Sequence, residues 1–179
     1  MWVDYKLFSY LLLGPRFNYQ AESLLGGILN RPYYKEVENI ILMVKQGDYD
    51  KLATEYTSCF INDYPKLLCP PYESWYREKT VYGNSALEVA EIYSEYGIKA
   101  MKSLPDHVAV EFEFTSFLYS IGQVESAEKF IIKHILSWVP QLANDMIKFG
   151  KGNYMRSLGK TLLNFTDFEK NRLSLAVKQ

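Results

Sequence analysis

Apolar side chains recur every three to four residues in almost every hydrophobic segment of this chain, and this spacing restricts its fold more than any other feature. Val37, Ile40, Ile41 and Val44 show the pattern clearly. Such spacing lines apolar residues along one face of an α-helix, and no segment alternates strictly between apolar and polar residues as a half-buried strand does. The sequence therefore predicts an all-α fold, a single-domain helical bundle of about eight to ten helices over residues 1–179.

Glycines, prolines and short polar residues divide the chain into these helices. Asp48 is predicted to cap the fourth helix, and Ser85 with Glu88 forms a capping box for the helix that follows the long loop. Residues 63–83 lose the helical periodicity and contain many prolines and aromatic residues, so we expect one long irregular loop there. The predicted helices cover residues 2–13, 21–29, 34–46, 49–60, 85–96, 105–121, 127–138, 142–149 and 154–165, with a weakly anchored helical tail from residue 167.

Composition and charge exclude several classes of protein. Hydrophobic residues make up 48% of the 179 residues, too many for a disordered chain. The formal net charge is −1, with basic and acidic residues mixed along the chain, so the basic surface of a nucleic-acid-binding protein is not expected. The apolar run at residues 11–13 is too short to span a membrane, and the first residues lack the basic region of a secretion signal. We therefore expect a cytoplasmic protein without integral membrane association.

Neither a metal centre nor an active site is predicted. The two histidines, His107 and His134, are separated by a whole helix, and Cys59 and Cys69 match no zinc or redox spacing. His134 lies on an apolar helical face, where a histidine is usually a core residue bonded to backbone. No glycine-rich phosphate loop or G-x-S-x-G motif is present. We expect no cofactor, no metal, no catalytic residue and no structural disulfide.

The segment Pro105–Leu118 places polar groups at the start of an otherwise apolar helix. Asp106 can accept hydrogen bonds from the exposed amides of the first turn, and His107 and Glu111 are four residues apart on one face. One interpretation is a capped core helix whose histidine and glutamate bond loop backbone. The other is a polar contact site at the mouth of an apolar groove.

The segment Cys69–Glu78 combines stiff prolines, large amphipathic rings and carboxylates. Tyr72, Trp75 and Tyr76 lie close to Glu73 in the sequence. This composition is typical of a surface that binds a peptide carrying both apolar and basic residues. A loop that packs its rings against the bundle to fix a long connection would have the same composition.

Five segments, in this order, resemble the TorD/DmsD/NarJ family of cytoplasmic chaperones for molybdoenzymes, also called redox enzyme maturation proteins. The most specific segment, residues 105–114, begins with Pro-Asp-His and places Glu111 five positions after Asp106. At Ser58 and Cys59 the chain departs from the family, in which arginine and leucine are common. The other four segments are residues 52–61, 71–76, 88–98 and 130–138.

The resemblance implies a non-enzymatic chaperone that binds the twin-arginine signal peptide, the apo form, or both, of a molybdopterin oxidoreductase catalytic subunit. Such a chaperone assists cofactor insertion and delays export. The family's aspartate–histidine pair and aromatic loop are implicated in leader binding. In this chain they correspond to Asp106, His107, Tyr72, Trp75 and Tyr76.

The chemistry of such a leader agrees with these residues. It presents two guanidinium groups followed by an apolar helix-forming segment, so its receptor needs carboxylates beside an aromatic groove. Glu113 is expected on the far side of the helix from Glu111, solvated or bonded elsewhere. The candidate carboxylates are Asp106, Glu111 and Glu73, and the candidate groove residues are Trp75, Tyr76 and Phe117.

Two other functions remain open at this point. A nucleotide-binding or hydrolysing helical enzyme could use Asp106 and His107, although the missing phosphate loop and missing second metal ligand argue against it. A purely structural assembly subunit would have a permanent apolar interface instead of a groove flanked by acids. A monomer and a domain-swapped homodimer are both compatible with the sequence.

Overall fold

The computed structural model describes residues 1–62, 67–100 and 103–176, and within these ranges it contains ten α-helices and no strand. Single 3₁₀ turns at Pro15–Phe17 and Leu25–Ile28 and a π-helical turn at Ile131–Ile135 complete the regular structure. The predicted all-α bundle is therefore confirmed. The helices are α1 (Trp2–Leu12), α2 (Asn18–Glu22), α3 (Tyr34–Gln46), α4 (Tyr49–Phe60), α5 (Glu73–Glu78), α6 (Asn84–Glu95), α7 (Val108–Ser120), α8 (Val124–Phe130), α9 (Val139–Phe149) and α10 (Asn153–Ala176).

Aromatic side chains from three helices form the centre of the hydrophobic core. Helix α1 packs along α7, and α10 packs along α9. The rings of Tyr5 and Phe8 from α1 contact Phe112 of α7 and Phe165 of α10, with the Phe8 and Phe165 centroids 4.4 Å apart. Aromatic pairs at such separations add stability beyond the area that they bury. This cluster fixes the position of α7, which carries Glu111 and Phe117 of the predicted site and begins directly after Asp106 and His107.

The predicted N-terminal caps of α4 and α6 had different outcomes. The Asp48 carboxylate accepts hydrogen bonds from the amides of residues 50 and 51, so the predicted cap of α4 is confirmed. The capping box of Ser85 and Glu88 is wrong. The Glu78 carboxylate instead accepts hydrogen bonds from the Asn84 and Ser85 amides and the Ser85 hydroxyl, because the turn after α5 brings Glu78 over the start of α6.

The C-terminal helix differs from the prediction, since α10 runs without interruption past residue 165 and its last turns are anchored. Glu169 is fully buried and accepts a 2.8 Å hydrogen bond from the Tyr5 hydroxyl. Arg172 donates to Glu128 and to the Tyr119 hydroxyl. The tail was predicted to be weakly anchored because its polar residues look solvated in the sequence, whereas they bond to three other helices. Residues 177–179 of that predicted tail lie outside the described residues.

Two further segments differ from the predicted boundaries of helices and loops. The helix predicted at residues 21–29 is the short α2 followed by a 3₁₀ turn at Leu25–Ile28, because Gly26 and Gly27 do not support a regular helix. The predicted irregular loop contains the helix α5, and its residues 63–66 lie outside the described part of the chain. No helix of the described residues has the length and apolar character required to cross a membrane.

Candidate functional site

The start of α7 is joined to the aromatic loop through their backbones. Tyr72 and His107 form an isolated antiparallel β-bridge. The Val108 amide donates to the Pro71 carbonyl at 2.9 Å, and the Glu73 amide donates to the Asp106 carbonyl at 3.0 Å. The two segments that the sequence singled out therefore meet, and we call this meeting point, residues 71–78 with 105–111, the α5–α7 junction.

Asp106 caps α5, a helix distant in sequence, instead of its own helix. One oxygen of its buried carboxylate, Oδ2, accepts from the Ser74 amide at 2.9 Å and from the Ser74 hydroxyl at 2.6 Å. Burial raises the pKa of Asp106, and the Ser74 hydrogen bonds oppose this rise. The predicted local cap by Asp106 is thus wrong, because the bend at residues 105–107 turns its side chain toward the loop.

His107 is the N-cap of α7. Its Nδ1 atom accepts a hydrogen bond from the Ala109 amide at 3.1 Å, and its ring packs edge-on against Tyr72. Burial lowers the pKa of His107 to about 4. The imidazole is therefore neutral at pH 7, as an acceptor at Nδ1 requires.

Glu73 is completely buried and bonded on two sides. Its Oε1 atom accepts from the Arg77 guanidinium at 2.6 Å, one helical turn away, and its Oε2 atom lies 3.0 Å from His134 Nδ1. His134 is a buried residue as predicted, but it contacts the Glu73 side chain and not backbone. The π-helical turn at Ile131–Ile135 carries His134 to this position.

Glu111 lies against the same carboxylate. Its Oε2 atom accepts from the Trp138 indole at 3.1 Å, and its side chain is fully buried. Burial raises the pKa of Glu111 well above its usual range, and the nearby charge of Glu73 raises it further. A raised pKa favours the neutral form of Glu111, which lessens the repulsion between two adjacent buried carboxyl groups.

The aromatic residues of the loop differ in exposure. Tyr76 is buried: its ring packs on Trp138 and its hydroxyl donates to Asp145 at 3.1 Å. Burial, together with the Asp145 charge, raises its pKa. Tyr72 and Trp75 are half-buried and form the outer surface of the α5–α7 junction. The interpretation of a loop packed onto the bundle therefore describes Tyr76, whereas Tyr72 and Trp75 remain accessible to a partner.

Phe117 lies apart from the other predicted site residues. It is ten residues beyond His107 on α7, about 15 Å along the helix axis. There it lines a groove of about 440 Å³ with Leu13, Ile98, Val110 and Phe114. Glu113, at the rim of this groove, is bonded to Lys6 and Ser9, as expected for a residue on the far side of the helix from Glu111.

Besides His134, three partners of the predicted carboxyl groups were not predicted, namely Ser74, Arg77 and Trp138. The four-residue spacing of Glu73 and Arg77 was a readable signal of a helical ion pair. No local signal indicated the other two. Among the described residues, no group of three or more His, Cys, Asp or Glu side chains is arranged to hold a metal ion.

Comparisons with known proteins agree with this architecture. The sequence pattern of the family described as nitrate reductase delta subunit matches residues 29–144. A chaperone protein TorD from Vibrio cholerae strain O395 is 24% identical over 182 residues, covering 89% of this chain and 82% of the relative. The TorD of strain N16961 is 26% identical over 176 residues, covering 86% and 79%.

The fold is also that of a known crystal structure. A protein from Archaeoglobus fulgidus, assigned as a redox enzyme maturation protein, superposes with a TM-score of 0.73 and 29% sequence identity, covering 93% of this chain and 94% of that one. The family pattern spans well over half of the chain and includes both halves of the α5–α7 junction. This chain therefore belongs to the nitrate reductase delta subunit family, the TorD/NarJ family that its sequence motifs resemble.

Proposed function

We propose that this protein is a redox enzyme maturation chaperone whose client is the catalytic subunit of a molybdopterin oxidoreductase. It binds the twin-arginine leader of the apo-enzyme, assists insertion of the cofactor and delays export. The names of its relatives, chaperone proteins TorD and a redox enzyme maturation protein, support the chaperone role. They are not names of enzymes, and we assign no reaction to this chain.

The observation that carries the leader-binding part is the composition of the α5–α7 junction. Two half-buried rings, Tyr72 and Trp75, belong to the same junction as three buried carboxyl groups, those of Glu73, Asp106 and Glu111. Rings of this kind contribute contact area at low entropic cost, and carboxyl groups pair with guanidinium. A leader with two arginines followed by an apolar segment matches both features.

Within this proposal the predicted residues have three roles. Tyr72 and Trp75 contact the leader, and Phe117 lines the groove that accepts the apolar segment farther along α7. Asp106 positions α5 through its Oδ2 atom, and His107 and Tyr76 hold the start of α7 and the loop. Glu73 and Asp106 supply the charge behind α5, and Glu111 supplies acceptor atoms there.

The contacts of Asp106 and His107 do not favour the nucleotide-hydrolysing alternative. Asp106 is fully buried and 9% of His107 is exposed, and both hold helix amides. An acid or base in a hydrolase must come within hydrogen-bond reach of its substrate. The assembly-subunit alternative lacks a specific supporting observation at this junction.

Calorimetric titration with a synthetic leader peptide tests the proposal. Trp75→Ala should weaken binding by about 2 kcal/mol if the ring is an interface anchor. Asp106→Asn should also weaken binding, by roughly 1–3 kcal/mol, because it removes a charge near the leader's guanidinium groups while the amide oxygen can still cap α5.

A matched control is Tyr19→Ala, which removes a ring that is 70% exposed on α2, outside the junction. It should leave affinity unchanged. Thermal melts must show that all three variants are folded. If Trp75→Ala and Asp106→Asn bind the leader as tightly as the wild type, the proposed site is wrong.

A further inference from the structure

We infer that the carboxyl cluster behind α5, formed by Glu73, Asp106 and Glu111 with His134, is a binding site for a ligand guanidinium. In the absence of the ligand, Arg77 of the chain occupies part of this site. Arg77 is therefore the residue that a ligand arginine displaces. The inference rests on the proposed leader-binding function and extends it to the atoms that recognise arginine.

The first observation is a set of buried polar atoms without partners. Within this cluster, Asp106 Oδ1, Glu111 Oε1 and His134 Nε2 are buried without a hydrogen-bond partner. Buried polar atoms are almost always paired in native proteins, and an unpaired one requires an explanation. A guanidinium has five N–H donors and no acceptor, so it suits a cluster that has carboxyl oxygens to spare.

The second observation is the position of Arg77. Its guanidinium bonds Glu73 Oε1 at 2.6 Å, while 37% of its side chain is exposed and none of the Glu73 side chain is. Arg77 thus connects the buried cluster to solvent. In the described part of the chain, no other lysine or arginine forms a salt bridge with Glu73, Asp106 or Glu111.

The exchange of one guanidinium for another keeps the buried charge compensated. Removing the partner of a buried carboxylate without replacement is strongly unfavourable, whereas a ligand arginine restores the same bond as Arg77 leaves. A lysine ammonium is a strongly hydrated point charge and does not reproduce the planar fork of the guanidinium. The cluster should therefore distinguish arginine from lysine in the ligand.

The test is chemical rescue of Arg77→Ala, which opens space at Glu73 and should lower the melting temperature. Millimolar methylguanidinium should restore part of the lost melting temperature, whereas methylammonium at the same concentration should not. The wild type should show no such gain. The control variant Arg156→Ala removes an exposed arginine whose guanidinium bonds the Gly150 carbonyl, away from the cluster, and should not be rescued.

A second measurement uses a synthetic peptide with two adjacent arginines followed by an apolar helical segment, and its double-lysine counterpart. Arg77→Ala should bind the arginine peptide more tightly than the wild type, roughly tenfold if Arg77 occupies the cluster nine-tenths of the time. Glu73→Gln combined with Arg77→Ala should abolish both this gain and the rescue.

The outcomes separate the inference from the proposed function. If the wild type binds the arginine peptide but Arg77→Ala is neither rescued nor improved in affinity, Arg77 is a structural ion-pair partner and the inference is wrong. If methylguanidinium rescues Arg77→Ala but no variant binds the peptide, the guanidinium site stands and the leader-binding function fails. Loss of melting temperature without rescue, together with no peptide binding, refutes both.

Discussion

Acidification should weaken the fold through His107, and the structure gives the size of the effect. The ring is buried against Tyr72 and its Nδ1 atom accepts from the Ala109 amide, so protonation costs both burial and a cap. The pKa of His107 is lowered from 6.5 to about 4 in the folded protein. Because the unfolded chain binds the proton more readily between these values, stability rises with pH through this window and is lost as pH falls.

The magnitude follows from proton linkage. At pH 7 both states are largely neutral at this site, whereas at pH 5 the unfolded chain is protonated and the folded chain is not. With an unfolded pKa of 6.5 and a folded value of about 4, the free energy of unfolding falls by about 2 kcal/mol between pH 7 and pH 5 from this residue alone.

Urea unfolding of the wild type and His107→Asn at pH 7, 6 and 5 isolates this contribution. Asparagine caps helices well but does not titrate, so the variant should lose a pH-independent amount of stability and lack the His107 slope. Contributions from other groups, including Glu111 with its raised pKa, cancel in the difference between the two proteins. Parallel pH profiles for the wild type and His107→Asn would refute the argument that burial keeps this imidazole neutral.

Two further predictions concern stability. Tyr82 has a positive φ of 62° and is 56% exposed, so Tyr82→Gly should stabilise the fold by about 1 kcal/mol in chemical denaturation. The control Thr80→Gly, in the same turn, should not stabilise it. A lower free energy of unfolding for Tyr82→Gly than for the wild type would contradict this prediction. Tyr5→Phe removes the hydrogen bond to buried Glu169 and should lower the free energy of unfolding by about 1–2 kcal/mol in the same assay. The control is Tyr10→Phe, at a half-buried tyrosine of the same helix, which should be about as stable as the wild type. Equal stabilities of Tyr5→Phe and the control would show that Arg172 alone satisfies Glu169.

The sequence alone was sufficient for the helical architecture and for the family. Helical periodicity depends on neighbours three and four residues apart, so most of the helices could be predicted without knowing what they pack against. The Asp48 cap was predictable for the same reason, since its partners are residues 50 and 51. The predicted proximity of the aromatic loop and the segment beginning at Pro105 came from residue chemistry and family resemblance.

Only the tertiary structure determined the hydrogen-bond partner of each polar group in the junction. Asp106 and Glu78 both cap helices that start elsewhere in the chain, and His134 contacts a carboxylate 61 residues away. Phe117 shares a helix with His107 but lies in a different groove. The packing of α5 and the π-helical turn against α7 determines which hydrogen-bond partner each of these polar groups has. A buried carboxylate must find a donor wherever the fold supplies one, and no local sequence pattern encodes where that donor lies.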